Sequence, residues 1–185
     1  KRIMDLRELV RYRASLVKLR TAIKNSIHAQ LLIHGIKIED TSPFTKAYTA
    51  KLRRIEDYKI NGYLNILESL NHEIEDASKR IMRQAKEDES AKLLMTVPGI
   101  GYYSALLIAS EIGDVNRFPD SAHLCSYAGI TPSTHSSGAM SYHGSITKAG
   151  SRYLRWVLIE CTRNHIRNNP ESSITRFYMK LAKKK

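Results

Sequence analysis

The chain has 185 residues, enough for one or two domains with a real core, and 42% of them are hydrophobic, as in an ordinary globular protein. Charge is what departs from the ordinary: 30 Lys and Arg stand against 18 Asp and Glu, a formal net of +12. No apolar run approaches the roughly 18 residues of a membrane span, no secretory leader is visible, and no zinc-type cysteine cluster is present.

The two cysteines, Cys125 and Cys161, stand far apart in apolar helical contexts and are expected to be reduced, buried thiols of a cytoplasmic protein. The basic excess sits at the ends: residues 1–34 hold eight basic and two acidic residues, and residues 134–185 hold ten and two. Two separated basic regions suit a polyanion gripped at more than one place. The chain opens Lys1-Arg2-Ile3-Met4, already in helical register and without an initiator Met, as expected of a piece of a longer protein.

The first element is a long helix whose apolar seam runs through Leu9, Tyr12, Leu16, Leu19 and Ile23, then shifts to Ile27 and Leu31. His34-Gly35 and Asp40-Thr41-Ser42-Pro43 supply stop and turn signals. A second seam, stricter in its alternation of three and four, runs through Ile60, Tyr63, Leu67, Leu70, Ile74, Ala77 and Ile81. Gly62 weakens that helix locally. Two such helices form an antiparallel hairpin, a coiled coil over residues 1–84, whose surplus seam favours a homo-oligomer or packs on the rest of its own chain.

The second domain, residues 85–185, is expected to be a small all-helical one, so that the fold class is mainly α. Glu87-Asp88-Glu89-Ser90 opens a helix that carries Leu93, Leu94 and Met95 into Val97-Pro98-Gly99-Ile100-Gly101. A second helix follows from about Tyr103 to Ile112 and stops at Gly113-Asp114. Pro98 ends the first helix, and Gly99 and Gly101 have access to backbone angles closed to residues with a Cβ. This is the pattern of a helix-hairpin-helix motif, about 93–112, whose second helix offers N–H groups to a nucleic-acid phosphate. Pro98, Gly99 and Gly101 are therefore candidate DNA-binding residues.

Asp120-Ser121-Ala122-His123 reads as a cap opening a helix to Gly129. A long polar stretch follows, about 131–147, expected to be irregular and, at that length, functional. It offers serines, His135 and His143, with the cations Lys148, Arg152 and Arg155 close behind. A serine attacking a phosphodiester needs its proton removed and the growing charge on phosphorus neutralised, and these groups could do both. The pattern alone does not choose the serine. Trp156, between Leu154 and Val157, is expected in the core rather than as a base-stacking platform. A helix from Ser151 onward breaks at Asn168-Asn169-Pro170, and a last helix, about 172–183, leads into Lys183-Lys184-Lys185.

The run Pro98-Gly99-Ile100-Gly101, Glu111-Ile112-Gly113-Asp114, Arg117-Phe118, Tyr127-Ala128-Gly129-Ile130-Thr131-Pro132, Ser137-Gly138, Gly144, Ile146-Thr147-Lys148-Ala149-Gly150 and Leu154-Arg155 closely resembles the C-terminal domain of the DEDD transposases of the insertion-sequence one-ten/one-sixteen family. These are bridge-RNA-guided recombinases related to Piv-type DNA invertases, and the likeness covers about residues 93–165. The resemblance implies an RNase H-like domain with acidic residues and Mg²⁺ upstream, a coiled coil, and a C-terminal domain whose Ser-Gly motif supplies the nucleophile. That motif matches Ser137-Gly138, with Lys148, Arg152 and Arg155 holding the phosphate. The family's acidic domain has no counterpart in this sequence, so no metal site and no cofactor are expected in this chain. Glu111 and Asp114 are read as structural.

The expected function is DNA recombination by a serine nucleophile, with DNA and a guide RNA as partners. The isolated chain should be inert. A non-enzymatic helix-hairpin-helix DNA-binding module is the rival reading, and a coiled-coil interaction protein with incidental charge is the third.

Overall fold

A computed structural model describes residues 2–37, 43–137 and 140–183. Asp40, Thr41, Ser42, Gly138, Lys184 and Lys185 lie outside the described residues. The rest divides into two compact units: residues 11–80, and residues up to Val10 together with those from Ile81 onward. Residues 2–10 and 81–84, grouped by sequence with the helical hairpin, thus cluster with the C-terminal unit.

The first unit is built from α1 (Arg2–Ile33), α2 (Lys46–Arg53) and α3 (Tyr58–Glu87). α1 and α3 run antiparallel. Near one end the Arg13 guanidinium donates to Ser78 Oγ at 2.7 Å and Tyr12 lies beside Glu73; toward the other, Ile27 is buried in one cluster with Ile60 and Leu64. The seam expected on α3 is largely the buried one, with Ile60, Leu67, Ile74, Ala77 and Ile81 in the core and Leu64 added.

On α1 the heptad reading fails in part. Tyr12 and Leu19 are 48% and 55% exposed, while Leu16, Ile27 and Leu31 are buried. Leu16 and Ile27 are eleven residues apart, close to three turns of a straight α-helix, whereas a heptad repeat drifts about 20° per repeat away from such a face. The short α2, capped by Thr45, had no clear sequence pattern; it inserts Tyr48 and Leu52 into the same core.

The second unit surrounds α5 (Tyr102–Ile112), in which Ala105 through Ile108 are buried on every side. Against it lie α4 (Glu89–Met95) and α7 (Arg152–Asn168), with Leu154, Val157 and Cys161 turned inward. Burial pushes the Cys161 thiol above its ordinary pKa. A single 3₁₀ turn (Val115–Arg117), capped by Asp114, leads to α6 (Ser121–Ala128), capped by Asp120 as the sequence suggested; α8 (Ser173–Ala182) follows α7. At the C-terminus of α5, the Arg7 fork donates two hydrogen bonds, at 2.9 and 2.8 Å, to the Ser110 carbonyl.

The stretch expected to be irregular is an antiparallel β-hairpin. β1 (Pro132–Ser137) pairs with β2 (Met140–Ile146), with Ser137 opposite Met140, His135 opposite Tyr142, and a register shift between Pro132 and Thr134. The two strands are rich in serine and carry too few apolar residues to give a period-two signal. The domain is therefore mainly helical with one small sheet, not all-helical.

Candidate nucleic-acid interface

The turn between α4 and α5 is held from behind. Asp88 caps α4 by accepting from the Ala91 N–H at 2.9 Å, and the Ile100 N–H closes the turn on the Val97 carbonyl at 3.1 Å. His165, 6% exposed on α7, places Nδ1 2.8 Å from the Pro98 carbonyl and Nε2 2.7 Å from Ser172 Oγ. A carbonyl can only accept, so Nδ1 carries the proton in that bond.

The two turn glycines have different jobs. Gly99 has φ +96°, and a Cβ there would come within 2.9 Å of the His165 amide nitrogen, so it serves the close approach of the turn to α7. Gly101 has φ −95° and ψ 178°, angles open to any residue, and a Cβ there would meet nothing within 4 Å. The backbone freedom that the sequence offers at both glycines is used at Gly99 and not at Gly101. As N-cap of α5 it provides no side-chain partner for the first N–H groups, which leaves that helix start uncovered on its solvent side.

The foot of the β-hairpin is clamped. The Thr147 N–H donates to the Thr131 carbonyl at 2.9 Å and the Lys148 N–H to the Gly129 carbonyl at 3.0 Å. Gly129 (φ +68°) and Gly150 (φ +115°) let the two chain segments pass at backbone contact. A Cβ on either would overlap a carbonyl oxygen of the other segment, of Ala149 or Tyr127. Ser151 caps α7 by accepting from the Leu154 N–H, and its hydroxyl donates to Glu111 Oε2 at 2.8 Å. Glu111 is 1% exposed, and its backbone carbonyl also accepts from the Tyr127 hydroxyl at 3.3 Å. This buried carboxylate ties α5 to the start of α7, as its structural reading required.

The candidate catalytic residues separate into two places. Ser137 is the last residue of β1, at the tip, whereas Lys148 and Arg152 follow β2 beyond the foot. Pro132 and Ser137 are five residues apart, or roughly 16 Å of strand. Along the hairpin, the backbone of Ser137 is thus a strand's length from the foot that Lys148 and Arg152 follow. Arg155 is committed elsewhere: its Nη1 donates to the Ala128 carbonyl at 3.1 Å, satisfying the end of α6. Lys148 and Arg152 are exposed, and Trp156, expected in the core, is 49% exposed. Its ring meets Tyr103 edge-on, 6.5 Å between centroids. Among the described residues no three His, Cys, Asp or Glu side chains gather as metal ligands.

Residues 91–178 match the family described as Transposase IS116/IS110/IS902. Among curated proteins, the transposase for insertion sequence element IS1328 of Yersinia enterocolitica is 31% identical over 84% of this chain and 48% of its own length. The transposase for insertion sequence element IS1111A of Coxiella burnetii is 28% identical over 90% of this chain and 49% of its own. The pilin gene-inverting protein of Moraxella bovis is 32% identical over 77% and 42%. The chain spans about half the length of these relatives, and its residues 91–178 are similar to the IS116/IS110/IS902 transposase family.

Proposed function

We propose that this chain is the DNA-handling part of an insertion-sequence transposase or recombinase, acting in the cytoplasm, and that Ser137 is its nucleophile. The observation that carries the reading is the family match over residues 91–178, shared with transposases and a gene-inverting protein. In the proposed step Ser137 Oγ gives its proton to a base, forms a bond to a DNA phosphorus, and displaces a sugar oxygen that takes up a proton. The energy of the phosphodiester is kept in the phosphoserine bond, so the step reverses when strands are rejoined.

Lys148 and Arg152, at the hairpin's foot, would hold a different phosphate from the one attacked, and the uncovered start of α5 a third. Charge neutralisation at the attacked phosphate then falls to groups outside this hairpin. Such groups fit a homo-oligomer, or the RNase H-like domain with Mg²⁺ that the resemblance implies; the carboxylates described here do not form such a site. A guide RNA would select the DNA, and the helix-hairpin-helix geometry at Pro98–Gly101 would serve backbone contact alone.

In the full-length protein with its RNA, Ser137→Ala should abolish recombination and the denaturant-resistant protein–DNA adduct while DNA binding persists. Alanine at Ser133, Ser136 or Ser141 should leave the adduct in place. An adduct that maps to another residue sinks the assignment. A chain that binds DNA but never forms an adduct favours the non-enzymatic binding module, the reading that the open start of α5 also supports.

A further inference from the structure

The lone tryptophan of the chain is placed where no packing need explains it. On α7 the inward line is Leu154, Val157 and Cys161, all buried, and Trp156 stands off that line with about half its surface in solvent. Its ring nonetheless has an aromatic neighbour. Tyr103, two residues into α5, meets it edge-on with 64° between planes and itself packs against the core. One helical turn before Trp156, on the same side of α7, stands exposed Arg152, whose guanidinium lies 5.1 Å from the Tyr153 ring centroid. One turn after it, Glu160 is tied to Arg163 at 3.0 Å, so the nearest acid on that line is already paired.

A half-exposed aromatic ring with a cation one turn away suits a ligand with a flat π-face and a phosphate. The charge of the surrounding segment, ten basic residues against two acidic over 134–185, selects a nucleic acid over an acid-poor protein surface. A base inside a duplex is already stacked on both sides and has no face to offer. We propose that Trp156 is a stacking platform for an unpaired nucleotide, whose phosphate lies against Arg152. The proposal rests on the reading of the domain as DNA-handling, and adds that part of the nucleic acid it holds is unpaired.

Because Trp156 is the single tryptophan, its fluorescence reports the site directly. The whole chain is titrated with an oligothymidylate and an oligouridylate of about 12 nucleotides, an abasic strand of the same charge, and a blunt duplex. Saturable quenching by the oligothymidylate or the oligouridylate, and little by the abasic strand or the duplex, is the expected result; whichever quenches at lower concentration identifies DNA or RNA as the source. By anisotropy of a labelled strand, Trp156→Ala should weaken single-strand binding about 5- to 150-fold and Trp156→Phe less, with duplex binding within about twofold.

Strand binding without quenching, or equal quenching by the abasic strand, overturns the proposal. So does a blue shift that grows with protein concentration alone, which would mean that a second copy covers the ring. Should Trp156→Ala not fold, the comparison of base-bearing and abasic strands on the unaltered chain still decides. Loss of all duplex binding would count against the phosphate contacts proposed above and leave the stacking result to stand or fall by itself.

Discussion

Replacing Gly150 by alanine tests whether the hairpin's foot is held by backbone contact. The residue has φ +115°, which alone costs an L-residue about 1–3 kcal/mol. The new methyl group would also overlap the Tyr127 carbonyl oxygen and lie 3.1 Å from its carbon. Neither neighbour is a side-chain end that could swing aside, so the segment must back away. That movement breaks or stretches the Lys148–Gly129 and Thr147–Thr131 backbone bonds, worth about 0.5–1.5 kcal/mol each. The expected cost is therefore about 4 kcal/mol, a large part of an ordinary domain's stability, and a fall in thermal midpoint of roughly 10 °C.

Two other glycines of the same unit serve as controls. Gly113 has φ +70° but its Cβ would touch only an Ile3 methyl at 4.0 Å, so Gly113→Ala should show the backbone cost alone. Gly101, with ordinary angles and open space, should accept alanine with almost no change. Calorimetry or circular dichroism on the three variants should rank them in that order. If Gly150→Ala melts with Gly113→Ala, the foot is compliant and the clamp does not position the strand that carries Ser137.

Gly101→Val should fold normally, yet shield the start of α5, weakening binding to all DNA sequences about equally and reducing the salt slope by about 1; loss for one sequence only would contradict a phosphate contact. Leu67→Lys with Ile74→Lys should cost several kcal/mol, because both side chains are almost fully buried and a lone charge there has no partner; an unchanged thermal midpoint would mean the α3 seam is surface. Arg155→Lys should destabilise the protein and not spare stability while lowering activity, since the planar fork is used on the Ala128 carbonyl; urea midpoints and strand-exchange rates separate the two. The Asp120 carboxylate is held below its ordinary pKa by the His123 N–H, so its cap strengthens above the unfolded pKa and is lost as pH falls through the folded one. Asp120→Asn should accordingly narrow the difference in thermal midpoint between neutral and acid pH.

Punctuation was the legible part of this sequence. Gly113, Gly129 and the Asn168-Asn169-Pro170 break end α5, α6 and α7 within a residue of where they were expected, because a glycine after the last turn and a proline beyond it act locally. The α3 seam was legible for the same reason: one partner face gives one period. What escaped depended on partners remote in sequence. Trp156 reads as core because Leu154 and Val157 flank it, but neighbours in a helix point about 100° apart, and only the position of α5 decides which of them faces inward. Arg155 reads as a phosphate ligand until α6 is seen to end against it, and Gly99 as a ligand-binding glycine until α7 is seen to fill the space behind it.

The same distinction bears on the site. Gly129, Gly150 and Glu111 are used up in building the foot of the hairpin, where each touches another segment's backbone or cap. Ser137 is different: it ends β1 at the far end of a ladder from that rigid foot. The strand is anchored at its foot by backbone contacts, and Ser137 is the residue at its other end. On the role proposed above for Ser137, the separation from Lys148 and Arg152 would have a use, since a nucleophile meeting a phosphate held by other groups would gain from standing clear of its own domain's cations.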